Sequence, residues 1–119
     1  MKYVKYIGIF VIVLLMGTTL VTIKADATPP RFIGLSYSTN TNTLKVVVSH
    51  LSPVRSIHFI YRVSVRKNGV LEQSYLYTKQ PNFFLNRYEY NISANPGDTL
   101  TVSAFCILWG YNTRSIIVK

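Results

Sequence analysis

The chain has 119 residues, a formal net charge of +9, two histidines and a single cysteine. That length supports one hydrophobic core rather than two, and one cysteine excludes an internal disulfide. Past residue 27 the acids are Glu72, Glu89 and Asp98 alone, which argues against catalysis by paired carboxylates.

At the N-terminus, Lys2 and Lys5 precede an uncharged apolar run from Ile7 to Ile23, and Ala25-Asp26-Ala27 follows. A basic start, an apolar stretch and a small-x-small triplet occur in the order of a secretory signal peptide. Residues 1–27 are therefore expected to be removed, leaving residues 28–119 as one secreted or extracytoplasmic domain. The alternative is retention of the run as an N-terminal membrane anchor, since it is only slightly shorter than the roughly 20 residues that span a bilayer. In either case the rest of the chain stands on the outer side, so nucleic acid is not an expected partner. The excess of Lys and Arg instead suits solvated faces, an anionic envelope surface or a protein partner.

From Phe32 onward the periodicity is that of strands. Phe32 to Ser38 reads as the first and Leu44 to Ser49 as the second, with β-branched Val46, Val47 and Val48 suited to a pleated surface. Between Ser56 and Arg66, Ile57, Phe59, Tyr61, Val63 and Val65 alternate with His58, Ile60, Arg62 and Ser64, which predicts a strand with the first set buried. Asn68-Gly69 is a strong hairpin signal leading into Val70 to Thr78. A fifth strand is expected over Phe84 to Ser93, with Phe84, Asn86, Tyr88, Tyr90 and Ile92 on one side. Asn95-Pro96-Gly97-Asp98 has the composition of a turn. Thr99 to Cys106 and Arg114 to Val118 complete seven strands. This spacing predicts an all-β, immunoglobulin-like antiparallel sandwich. Asn91-Ile92-Ser93 is also an N-glycosylation triplet.

No catalytic constellation stands out, and no catalytic residue is assigned. The residues able to hold a transition metal are His50, His58 and Cys106, all at strand ends or in adjoining loops. Two imidazoles and a thiolate suffice for such an ion, while a surface histidine and a buried cysteine filling space are the structural alternative.

The segment from Ser49 to Val65, closing in Asn68-Gly69, resembles the histidine loop and following strand of superoxide reductases, the family of neelaredoxin and the desulfoferrodoxin iron-binding domain. The segment Pro96 to Cys106, with Gly110 beyond it, is similar to the strand that carries that family's cysteine ligand. The resemblance implies a ferrous centre with four equatorial histidines and an axial thiolate, reducing superoxide at an open position. His50 and His58 match loop histidines and Cys106 the axial ligand. Trp109 occupies a histidine position, and indole nitrogen is a donor only; no histidine precedes His50. Blue copper proteins also use two histidines and a cysteine, but normally with a histidine soon after the cysteine, and none follows Cys106. Iron therefore ranks ahead of copper as a cofactor, and both rank behind a domain that keeps the fold without the centre. The expected function is that of a degenerate superoxide reductase-like domain with weak or no metal binding; the alternative is a noncatalytic binding module of the cell envelope.

Overall fold

A computed structural model describes residues 29–119, so the expected signal peptide lies outside the described residues. Seven antiparallel strands form two sheets packed as a sandwich: β1 (Phe32–Ser38), β2 (Thr43–Ser49), β3 (Ile60–Lys67), β4 (Val70–Leu76), β5 (Leu85–Asn91), β6 (Thr99–Cys106) and β7 (Tyr111–Ile117). The three-stranded sheet has the order β1-β2-β5 and the four-stranded sheet β4-β3-β6-β7.

Alternation in the sequence sets which side chains meet. Leu44, Val46 and Val48 of β2, Tyr88 and Tyr90 of β5, and Leu100, Val102 and Ala104 of β6 are buried in one core with Val63 and Val65. Successive strand side chains point to opposite faces, so each of these sets is one face of its strand. Full burial of an aliphatic side chain contributes roughly 1.5–3 kcal/mol, enough for such a core to stand without a disulfide.

The two turn signals form as their chemistry requires. Asn68 and Gly69 have φ of 53° and 83°, the paired positive values of the tight turn whose twist matches its flanking strands. In Asn95-Pro96-Gly97-Asp98, Gly97 has φ of 94° and the Asp98 N–H donates to the Asn95 carbonyl at 3.0 Å, the geometry expected of proline followed by glycine.

The third strand departs from expectation. It begins at Ile60 rather than Ser56, because the N–H groups of Ile57 and His58 both turn back to the Val54 carbonyl, at 3.1 and 3.0 Å, and so cannot join a ladder. A register shift between Ile60 and Arg62 against β6 then changes which residues face inward. Ile60 is fully buried, Tyr61 is half-buried and Ile57 is exposed, whereas strict alternation assigns Ile57 and Tyr61 to the core and Ile60 outside. Such a bulge reverses side-chain facing locally. Strand ends also differ: β4 stops at Leu76, β5 spans Leu85–Asn91 and β7 starts at Tyr111.

Val63, beyond the bulge, is fully buried. Val63→Asp is expected to unfold the domain, because an unpaired carboxylate in the core costs several kcal/mol against a total of roughly 5–15. Thermal melting monitored by circular dichroism checks this, and a melting point unchanged from the parent would contradict the assignment of that face.

Candidate metal centre

The alternation of β2 does not stop at the strand's end. Leu44, Val46 and Val48 are followed at the same parity by His50, which is 2% exposed. On the opposite sheet, Leu100, Val102 and Ala104 are followed by Cys106, also buried. The inward faces of two strands thus deliver an imidazole and a thiol to the last layer of the core, one from each sheet.

The third group arrives by the loop. The turn closed on the Val54 carbonyl carries His58 back toward the sandwich, and the Ser52 hydroxyl donates to the His58 carbonyl, fixing that backbone. One ligand atom each from His50, His58 and Cys106 then lie within 4.8 Å of one another. Atoms bound about 2.0–2.3 Å from a tetrahedral metal stand roughly 3.3–3.6 Å apart, so side-chain rotations of about an ångström bring the three to coordinating distance. All three residues anticipated from the sequence therefore converge.

The two rings meet edge to face, with centroids 4.6 Å apart and planes at 85°. Burial lowers the pKa of His58, and the neighbouring His50 adds to the effect. His58 is thereby held in the neutral form that can donate a lone pair. Its Nε2 is buried with no hydrogen-bond partner among the described residues, an arrangement that costs free energy unless something satisfies it.

His50 is oriented by a residue with no signature in the sequence. The Gln80 side chain is fully buried, and its Oε1 stands 2.7 Å from His50 Nδ1 while accepting from the Ile60 N–H at 3.2 Å. Its Nε2 donates to the carbonyls of His50 at 2.7 Å and Asn82 at 2.9 Å. A backbone N–H can only donate and a carbonyl can only accept, so the amide orientation is determined by its partners. Facing an acceptor oxygen, Nδ1 of His50 must carry the proton, which leaves Nε2 as the ring's lone-pair nitrogen. This is the outer-partner arrangement that orients histidine ligands in metal sites. Lys79-Gln80-Pro81 reads as an ordinary polar loop, and only the tertiary structure reveals that role.

A cleft of about 390 Å³ opens beside the pair, lined by Arg31, Ser49, His50, Pro53, His58 and Phe84 among others. The histidines face it and Cys106 does not line it. An ion held by the three would have the sulfur on the core side and the cleft on the other, with exposed Arg31 giving the entrance positive charge.

Trp109, at the position where the resemblance implies a histidine, is 67% exposed and does not line the cleft. No family model matches the chain, and no curated protein matches it.

Gln80→Leu is expected to leave the partners of that amide unsatisfied and to cost about 3 kcal/mol of stability, measured by urea unfolding. The same variant should lose roughly 10–100-fold in affinity for any metal bound by His50. In metal-free protein, kept so with a chelator, the lowered His58 pKa means that the unfolded state binds the proton more readily than the folded one. Stability is therefore full above the ordinary value of 6.5 and falls as pH drops through 6.5 toward the lower folded value. His58→Gln should flatten that part of the stability profile, recorded as denaturation midpoints against pH.

Proposed function

We propose that this chain is an exported, immunoglobulin-like sandwich that holds one transition-metal ion on His50, His58 and Cys106, with an open position toward the cleft. The observation carrying the reading is that both histidines and the sole cysteine of the sequence meet at one point, although they come from separate segments. Two imidazoles and one thiolate make a donor set suited to iron, copper or zinc and unsuited to magnesium or calcium. The strand order supports the immunoglobulin-like description, since the chain crosses between sheets from β2 to β3, β4 to β5 and β5 to β6, as in Greek-key sandwiches.

Iron is the occupant implied by the resemblance to superoxide reductases, and superoxide the substrate of a complete centre there. This chain has two histidines in all, so it cannot supply four equatorial ligands. Its ion is accordingly weakly held and exchangeable, water completes the shell, and superoxide reduction is slight. The reading as a noncatalytic envelope module draws support from a separate feature, the apolar loops around the same end of the sandwich.

Titration of the purified chain with Co²⁺, Fe²⁺ and Zn²⁺ tests the proposal. One ion per chain is expected, with a sulfur-to-cobalt charge-transfer band that disappears in Cys106→Ser. His50→Ala and His58→Ala should each lose more affinity than the roughly 10–100-fold typical of deleting an outer partner. Binding unaffected by all three substitutions would overturn the site. Trp109→His separates the iron reading from a generic one: tighter Fe²⁺ binding in that variant supports descent from the superoxide reductase centre, and unchanged binding counts against it.

A further inference from the structure

The metal end of the sandwich differs from the other end in both polarity and charge. Strand directions place the segment before β1, the β2–β3 loop, the β4–β5 loop and the β6–β7 loop together, because Phe32 pairs with Ser49, Ser49 with Leu85, Arg62 with Leu76 and Ile60 with Cys106. These loops expose Leu51, Ile57, Phe83, Ile107, Leu108 and Trp109, each between 47% and 67% accessible. At the opposite end the strongly exposed large apolar residues among those described are Val70, Leu71 and Ile117. Scattered apolar residues on a surface are ordinary, but a cluster from three loops marks a contact surface.

Charge is divided along the same axis. Glu72 follows the Asn68-Gly69 turn, Glu89 lies in the half of β5 nearest Asn91, and Asp98 closes the Asn95 turn, so the acids of the described residues all stand toward the far end. Two of them are engaged there, Glu72 with Lys67 at 3.6 Å and Asp98 with the Asn68 side chain at 3.0 Å. The metal end carries exposed Arg31, Arg55 and Lys79 with no acid among them.

The chain also enters the domain at this end, and its entry is fixed. Asn112 Nδ2 donates to the carbonyls of Pro30 and Arg31, both at 3.0 Å, and the Arg31 N–H donates to the Ser49 carbonyl at 3.0 Å. Pro29 packs so closely on Gly110 that a Cβ there would lie 3.0 Å from the proline. Residues 24–28 separate Pro29 from the apolar run ending at Ile23, a reach of at most about 22 Å from Ile23 to Pro29 if extended. On the reading of that run as an anchor, it would tether this end to the membrane; on the reading of it as a signal removed after Ala27, an ammonium group would stand at the same end.

We infer that the loop end formed by Leu51, Ile57, Phe83, Ile107, Leu108 and Trp109 docks onto an anionic lipid bilayer, on the side to which the chain is exported. Aromatic and aliphatic side chains enter the interfacial region, where tryptophan is favoured, and Arg31, Arg55 and Lys79 meet lipid phosphates. The metal cleft opens at that end and so faces the headgroup layer.

Trp109 is the only tryptophan in the chain and reports directly. The full chain is reconstituted into vesicles of phosphatidylcholine alone or mixed with phosphatidylglycerol, and tryptophan emission is recorded with brominated lipids and with acrylamide. Docking predicts emission at shorter wavelength, quenching by bromolipid and shielding from acrylamide in the anionic vesicles. Arg55→Glu combined with Lys79→Glu, both exposed and outside the metal site, should abolish most of the bromolipid quenching while the fold, followed by circular dichroism, is retained. Emission typical of a water-exposed indole with no bromolipid quenching would overturn the inference. So would equal quenching in neutral and anionic vesicles, or burial of Trp109 against another protein copy without lipid contact. None of these readouts depends on metal, so this inference and the metal centre fail separately.

Discussion

One buried carboxamide holds the His50 end of this sandwich together. Gln80 uses both lone pairs and both N–H groups of its side chain, and its partners belong to the end of β2, the start of β3 and the loop before β5. The start of β3 belongs to the sheet opposite β2 and β5 and shares no ladder with them, and a buried backbone group left without a partner costs about 1–3 kcal/mol. The amide supplies the missing connection and also determines which nitrogen of His50 can act as a ligand. Structural closure and ligand orientation are therefore one interaction, and neither can be altered alone.

The regular parts of the fold were legible because they depend on local chemistry. Asn68-Gly69 and Pro96-Gly97 specify their turns by backbone freedom, and the alternation in β2, β5 and β6 specifies inward faces that the structure retains. The same parity, carried one residue past β2 and to the last residue of β6, gives His50 and Cys106 their inward directions. What could not be read depends on contacts distant in sequence. The strand from Ser56 is cut short at Ile60 by the turn on Val54, and the bulge beside Ile60 appears only in its register against β6, where Ile60 pairs with Cys106. Alternation predicted an outward Ile60 for that reason. Gln80 illustrates the limit most clearly: its polar neighbours suggest a solvated loop, and it is fully buried.

The position of the candidate centre follows from how a sandwich ends. Two sheets packed face to face run out of aliphatic layers where the strands turn into loops, and the final layer must accommodate polar backbone without being exposed to water. Here that layer is filled by His50, Cys106 and Gln80, all buried, with His58 closing it toward the cleft. Soft and borderline donors with an apolar floor on one side and a basic, partly apolar rim on the other give the end of the domain a chemistry that its aliphatic middle lacks.

A free cysteine in this position depends on stabilisation from elsewhere. Small exported domains commonly staple their sheets with disulfides, and a pairing of that kind would consume the thiol. The sheets are instead tied by tyrosines. Tyr75 and Tyr90 stack at 3.9 Å, Tyr77 lies against Tyr88 at 5.0 Å, and the hydroxyls of Tyr77 and Tyr90 are hydrogen-bonded at 2.6 Å. Tyr75 and Tyr77 approach from the β4 side while Tyr88 and Tyr90 belong to β5, so the contacts join one sheet to the other. Burial raises the pKa of all four phenols, which therefore remain neutral and can pack between the sheets without introducing charge. Aromatic pairs contribute about 0.5–1.5 kcal/mol beyond the area they bury, and several together approach the few kcal/mol that a native disulfide supplies. With that cross-link made by side chains that carry no redox chemistry, Cys106 remains a thiol at the end of β6, where the two histidines can reach it.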